Sequence, residues 1–156
     1  MGRYSWEPWR AGAPRPERDT ARAMSQENVE IVKEFTRLYE AGDRDEWRDY
    51  FDPDVVWDTS ASGMPSAGIY HGHEGVEQFF REWLGAWSDY EIETSEYIDA
   101  GDAVVIVFRQ SGTGRASGVR AERDFFNVYD LKESKVVRCR LFESRQEALE
   151  AAGLSE

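Results

Sequence analysis

The apolar residues between positions 74 and 87 follow a helical period, whereas those beyond position 90 follow the period of a strand. The segment EGVEQFFREWLGAW has apolar residues at intervals of three and four, which predicts an amphipathic helix. These residues, four of them bulky aromatics, are Val76, Phe79, Phe80, Trp83, Leu84 and Trp87. A helix followed by a strand meander predicts a curved antiparallel sheet that folds around a helix and encloses a pocket.

Four runs of period two are the predicted strands of this sheet. They are Tyr90–Ile98, Ala103–Ser111, Arg120–Asp130 and Lys135–Phe142. Gly101 with Asp102 predicts a tight turn, and the segment GTGRASG predicts a longer, flexible connection. Ser144 and Glu147 have the spacing of a capping box, which predicts a last helix through Ala151.

The N-terminal half predicts two helices and a short strand. Ser25 is the expected N-cap of a helix from Gln26 to about Ala41. A shorter helix is expected from residue 43 to 51, ended by Asp52 and Pro53. Residues 55–59 then predict a strand. The Gly-rich stretch 60–72 predicts a long loop with a brief strand near Ile69, and loops of this length are often binding loops.

Composition limits the function classes. The chain has 156 residues, enough for one domain with its own core, and aromatics make up 13% of it. A net charge of −12 argues against sequence-independent binding to nucleic acid. Its single cysteine, Cys139, excludes an internal disulfide and fits a reducing compartment, so we expect a cytoplasmic protein. No run approaches the roughly 20 apolar residues of a membrane helix, so we expect no membrane partner.

The first 24 residues differ from the rest. They contain five Arg, three acidic residues and three of the five prolines, without apolar periodicity. We expect a disordered arm at 1–24, followed by one domain at 25–153. An alternative is that Trp6 and Trp9 dock on this or another subunit.

Several short segments, in this order, resemble the SnoaL-like branch of the nuclear transport factor 2-like superfamily. They are SQENV at 25–29, AGD at 41–43, FDPDVVW at 51–57, GHEGV at 72–76, DAGD at 99–102, VYDL at 128–131 and EALEAAG at 147–153. The resemblance implies an α+β cone, in which a curved antiparallel sheet wraps around N-terminal helices. It also implies a homodimer formed through the sheet.

The resemblance implies less about activity, because this scaffold carries cyclases, isomerases, dehydratases and plain binding modules. We expect a small apolar or weakly acidic ligand, with a proton-transfer step as one hypothesis. The alternative is a non-catalytic dimeric module that binds a ligand or another protein. No cofactor is expected.

Ketosteroid isomerases of this fold use a tyrosine on the first helix, an aspartic acid late in the sheet and an aspartate after the first strand. By local register these positions fall on Phe35, Asn127 and Thr59. A SnoaL-type cyclase uses an aspartate at the position that matches Asn127. An amide does not exchange a proton near neutral pH, so the inherited acid–base groups are missing. Asp58 is the alternative base, although a one-residue offset turns its side chain to the opposite face of a strand.

The sequence offers further polar candidates. Arg140 on an inward face would need either a carboxylate partner, such as Asp58, Asp124 or Glu122, or an anionic ligand. Arg109 raises the same question on its own strand. His71 suits general acid–base work at the rim of a pocket.

Two imidazoles and a carboxylate at His71, His73 and Glu74 suggest a metal. Their place at the start of a helix explains them better, so no metal is predicted. The catalytic candidates are therefore Asp58, His71, Asn127 and Arg140. The candidates for ligand binding are Phe35, Trp57, Thr59, Trp83, Tyr97, Arg109, Phe125 and Phe142.

Overall fold

The computed structural model describes residues 16–43, 45–64 and 67–154. Its helices, in this part of the chain, are α1 Pro16–Glu40, a 3₁₀ turn Glu46–Tyr50, α2 Gly72–Gly85 and α3 Arg145–Ala151. Its strands are β1 Phe51–Asp58, β2 Ile69–His71, β3 Trp87–Asp99, β4 Ala103–Gly114, β5 Arg120–Lys132 and β6 Lys135–Phe142. The six strands form one open, curved sheet in the order β2-β1-β6-β5-β4-β3. The predicted α+β cone is confirmed.

One pairing in the sheet differs from the expectation. β1 runs parallel to β6, with Trp57 opposite Cys139, while every other neighbouring pair is antiparallel. The sheet is therefore mixed rather than purely antiparallel. A period of two shows which side chains share a face but not the direction of the neighbouring strand, so the sequence pattern could not reveal this.

The two faces of the sheet pack against different helices. The inner face packs with α1 and α2 around a core that includes Phe35, Trp57, Phe79 and Tyr129. The outer face carries a smaller cluster, in which Val105 and Val128 of the sheet meet Ala148 and Leu149 of α3. Because side chains alternate along each strand, one sheet supplies both clusters. A cavity lined by the aromatic residues of this core lies on the inner side.

Helix α1 begins ten residues before its predicted start. Proline suits the first turn of a helix, since its missing N–H needs no partner there, and residues 17–24 are mostly good helix formers. Ser25 therefore lies inside α1 and is not its N-cap. Its hydroxyl bonds the Asp99 carboxylate at the end of β3. The predicted disordered arm is thus helical from Pro16, while residues 1–15, with Trp6 and Trp9, lie outside the described residues.

Other boundaries shift by a few residues. β1 starts at Phe51 and includes Pro53, which was expected to end a helix, and the β1–β6 register is irregular between Phe51 and Val56. Proline has no N–H for a ladder, which fits that irregularity. The bounds predicted for β6 are confirmed. The cap of α3 is also confirmed, since the Ser144 hydroxyl accepts from the Glu147 N–H at 3.3 Å.

Candidate functional site

The sheet, α1 and α2 enclose a cavity of about 70 Å³, here called the inner cavity. Its wall is mainly aromatic and includes Phe35, Phe51, Trp57, Phe79, Phe80 and Trp83. The rings pack edge to face, stacked or tilted, with centroids 5.2 Å apart for Trp57 and Phe80 and 5.0 Å for Phe35 and Tyr129. At about 10–15 Å³ for each water, this space would hold on the order of five water molecules.

Two polar atoms in this wall have no hydrogen-bond partner among the described residues. One is Oδ1 of Asn127 and the other is Nε1 of Trp57, and both side chains are 5% exposed. The nitrogen of the same amide is paired, because Asn127 Nδ2 donates to the Tyr129 hydroxyl at 3.0 Å. The wall therefore combines an unpaired acceptor and an unpaired donor, each of which costs roughly 1–3 kcal/mol when left alone.

The groups beneath Asn127 are neutral. Burial raises the pKa of the Tyr129 phenol well above its usual value, and burial raises the pKa of the Cys139 thiol in the same way. Two further polar groups, the hydroxyls of Thr36 and Tyr97, bond each other at 2.6 Å. None of these groups is arranged to move a proton near neutral pH.

Carboxylates occur in the described wall only where it reaches the surface. Glu40 and Asp43, both exposed, line the cavity at the C-terminal end of α1. Glu40 accepts a hydrogen bond from the Thr94 backbone N–H at 2.8 Å, which ties α1 to β3. The deep part of the cavity is therefore mainly apolar, and the few polar atoms in it are uncharged.

A second concavity, the outer groove, continues from the inner cavity along β4 and β5. It has a volume of about 560 Å³, and Trp87, Phe125, Arg120 and Arg123 lie along it. Four residues line both spaces and form the junction between them: Met64, Trp83, Tyr90 and Gln110. At the junction, Oε1 of Gln110 accepts from Trp83 Nε1 at 2.9 Å and from the Tyr90 hydroxyl.

Comparison with known proteins identifies the family. The model of the SnoaL-like domain matches residues 32–139, which is more than half of the chain. The chain belongs to the SnoaL-like domain family. No curated protein matches it significantly. None of the helices in the described ranges is both long enough and apolar enough to cross a membrane.

Solved structures place this SnoaL-like protein in the nuclear transport factor 2-like fold. An NTF2-like protein from Burkholderia thailandensis is 28% identical, with a TM-score of 0.69, over 81% of this chain and 96% of that one. A candidate SnoaL-like polyketide cyclase from Mesorhizobium loti is 27% identical, with a TM-score of 0.60, over 72% and 96%. TerC, co-crystallised with polyporic acid, is 22% identical, with a TM-score of 0.66, over 81% and 98%, and shows the fold alone.

Four of the predicted site residues of this SnoaL-like protein line the inner cavity: Phe35, Trp57, Trp83 and Asn127. Phe125 lines the outer groove instead. Tyr97 is not part of the cavity wall, but its hydroxyl is hydrogen-bonded to that of Thr36, which is. Thr59 is buried in the turn of the 59–68 loop, where its hydroxyl bonds the backbone of Gly68.

Two of the catalytic candidates lie on the opposite side of the sheet from the cavity. Arg140 pairs with Asp130 at 3.2 Å and donates to the carbonyl of Ala151 at 3.2 Å, so it ties β5 to α3. Its carboxylate partner is thus none of the three that the sequence suggested. Asp58 faces away from Trp57, and its carboxylate accepts from the Ser60 N–H at 2.9 Å. The one-residue offset does turn Asp58 outward.

The remaining candidates also lie away from the inner cavity. Arg109 is exposed and pairs with Asp124 at 2.8 Å, and this contact lowers the pKa of the Asp124 carboxyl. Phe142 packs in the cluster beneath α3. His71 is exposed at the N-cap of α2, whereas His73 Nε2 bonds the Phe51 carbonyl at 2.9 Å. No group of three potential metal ligands occurs in the described ranges.

Sequence reasoning missed two polar residues of the site. Tyr129 shares a face with Asn127 two positions earlier, so the alternation that selected Asn127 also contained it. Gln110 continues the inward series of β4 after Ile106 and Phe108. A polar residue in an otherwise apolar inward series was the signal, and it is visible in the sequence.

Proposed function

We propose that this SnoaL-like protein binds a small, neutral organic molecule that has an apolar ring and a hydroxyl group. The observation that carries this proposal is the pair of unpaired atoms in the aromatic wall, Asn127 Oδ1 and Trp57 Nε1. A hydroxyl group both donates and accepts, so it is the simplest ligand group that complements an unpaired acceptor and an unpaired donor. The ring would pack against the aromatic residues around it.

Charge favours a neutral ligand over an anion. Each arginine that the sequence suggested for an anion, Arg109 and Arg140, is paired with a carboxylate outside the inner cavity. An anion placed beside Asn127 would be buried without a compensating cation among the described residues, at a high desolvation cost. The sequence predicted an apolar or weakly acidic ligand, and these charges favour a ligand that binds in its neutral form.

The proposed role is binding rather than proton transfer. Asn127 lies at the position that, by the resemblance, is an aspartate in a SnoaL-type cyclase. A side-chain amide neither gains nor loses a proton near neutral pH. Tyr129, its hydrogen-bond partner, holds its proton because burial raises the pKa of the phenol. Likeness to a candidate polyketide cyclase supports an organic ligand in this fold. A homodimer through the sheet and a cytoplasmic location stay predictions.

The test compares phenol with toluene, two molecules of similar size that differ in the hydroxyl group. Calorimetry or quenching of tryptophan fluorescence would give both dissociation constants for the wild type, Asn127→Leu and Arg109→Ala. Phenol is better hydrated than toluene, so the informative quantity is the change in the ratio of the two constants between variants. Asn127→Leu should shift that ratio about tenfold against phenol, since one satisfied buried hydrogen bond corresponds to ~1–2 kcal/mol.

Arg109→Ala is the matched control, because Arg109 is exposed on the opposite face and should leave the ratio unchanged. Trp57→Phe keeps an aromatic ring without the N–H donor, and it should shift the ratio in the same direction as Asn127→Leu. An unchanged ratio in both inner-wall variants, or no binding of either compound to the wild type, would refute the proposed function.

A further inference from the structure

The junction residue Gln110 has an amide whose orientation is determined by its neighbours. The indole N–H of Trp83 is a donor only, so the atom 2.9 Å from it must be the amide oxygen. The Tyr90 hydroxyl donates to the same oxygen. The amide nitrogen, Nε2, therefore points away from both rings, and no described residue accepts a hydrogen bond from it.

This nitrogen is not one of the buried, unpaired atoms of the described chain, although Gln110 as a residue is only 9% exposed. It therefore borders open space at the junction. A second unpaired donor is found in the wall of the outer groove. Trp87 packs against Trp83 with ring centroids 5.5 Å apart, and its buried Nε1 has no partner among the described residues.

The junction thus presents N–H donors without a described acceptor. Its complement is an oxygen that only accepts, such as a carbonyl or a carboxylate. The charges along the outer groove favour the carbonyl. Arg123 already pairs with Glu143 at 2.6 Å, and Arg120 shares the groove with Glu122. Glu122 also pairs with Arg109 at 3.4 Å, and the three arginines Arg109, Arg120 and Arg123 are matched in number by three carboxylates, those of Glu122, Asp124 and Glu143. A carboxylate ligand would therefore meet no net positive charge there.

The distance between the two polar sites sets the length of the ligand. On β4, the residue opposite Asn127 is Ile106, and Gln110 lies four positions farther along the same strand. At about 3.3 Å for each residue, the Cα atoms of the two sites are roughly 13 Å apart along the strand. Both side chains reach toward the interior, so a molecule with two rings can contact both.

Building on the proposed function, we infer that Gln110 binds a carbonyl oxygen of the same ligand whose hydroxyl end lies beside Asn127. The ligand class is an elongated hydroxyaryl ketone. Its phenolic ring occupies the inner cavity, its carbonyl lies at the junction, and its second ring occupies the outer groove beside Trp87 and Phe125. Gln110 is then a specificity-determining residue that selects for the carbonyl.

The probe pair is 4-hydroxychalcone and 4-(3-phenylprop-1-enyl)phenol, which has a methylene group where the chalcone has its carbonyl. Dissociation constants would be measured for the wild type, Gln110→Glu and Gln110→Met. Gln110→Glu retains the acceptor for Trp83 and Tyr90 but loses the two amide donors. In both variants the ratio of the constants should shift about tenfold against the chalcone, with the affinity for the methylene compound changed by less than about twofold.

A measurement on the wild type does not depend on how the variants fold. The side-chain amide signals of Gln110 in a ¹H–¹⁵N spectrum should move when the chalcone is added and stay in place with the methylene compound. Equal ratios in all three proteins, or equal shifts with both probes, would overturn the role of Gln110. The proposed function survives that result if the methylene compound still binds and Asn127→Leu weakens it. Failure of both probes to bind would overturn both proposals.

Discussion

Replacing Asn127 by leucine should stabilise the ligand-free protein. Asn127 is 5% exposed, and its Oδ1 has no partner in the described chain. Removing that unpaired acceptor recovers roughly 1–3 kcal/mol, while losing the bond from Nδ2 to Tyr129 costs about 1 kcal/mol. The Tyr129 hydroxyl loses the amide donor in this variant, and that loss is the cost of about 1 kcal/mol. The expected net change is an increase of about 1 kcal/mol in the free energy of unfolding.

Urea unfolding, followed by tryptophan fluorescence and circular dichroism, measures this change. A gain of about 1 kcal/mol should raise the melting temperature by roughly 2–4 °C for a domain of this size. Asn127→Ala is the contrasting variant, because it removes the same acceptor but leaves a void, and it should be less stable than Asn127→Leu by about 2–5 kcal/mol. The m-values should agree, so that the midpoints can be compared directly.

One result would refute this reasoning. If Asn127→Leu loses 1 kcal/mol or more, Oδ1 is satisfied in the ligand-free protein, for instance by an ordered water of the kind common in polar cavities. The unpaired acceptor would then no longer explain why a ligand hydroxyl is preferred. If Asn127→Leu is more stable and yet binds phenol more weakly, the wild-type amide is retained for binding at the expense of stability.

Two further predictions concern the groups around the sheet. Asp130→Asn leaves the Arg140 guanidinium, whose side chain is 20% exposed, without its carboxylate, so urea unfolding should show a loss of about 2 kcal/mol, whereas Arg109→Ala should show none that is measurable. Burial raises the pKa of both Cys139 and Tyr129, so the native state keeps protons that the unfolded state releases above their usual values of 9.0 and 10.0. The free energy of unfolding should therefore fall as the pH rises through 9 to 11, and Cys139→Ala should reduce that slope; a stability independent of pH in this range would contradict the burial of both groups.

Local signals predicted the elements that depend on local physics. The aromatic stripe of α2 as far as Trp83, the bounds of β6 and the cap at Ser144 all follow from neighbours within a few residues. Trp87, which the helical spacing assigned to the same helix, begins β3 instead. The start of α1 was placed too late because Ser25 is a good N-cap only where the chain before it is not already helical. In this protein Pro16 and the residues after it begin the helix first.

The site was harder to predict because it depends on which face of each strand looks inward. Alternation shows that Arg138 and Arg140 share one face of β6 and that Cys139 and Leu141 share the other. Burial selects the apolar pair for the cavity side, and the arginines then pair with Asp130 on the outer side. Asn127 was found through a family resemblance. The position of Gln110 in the inward series of β4 is visible in the sequence, but its contacts with α2 and β3 depend on the fold.

The parallel pairing of β1 with β6 affects how the protein is made. Trp57 in the cavity wall lies opposite Cys139, although most of the chain separates them. Contacts between distant segments are slow to form, since a long loop must close before they contribute any stability. During synthesis, β1 can pair with β2 early, but it cannot pair with β6 until that strand has left the ribosome. Until then, the aromatic side chains of the cavity are exposed, and chaperones would have their longest opportunity to bind them.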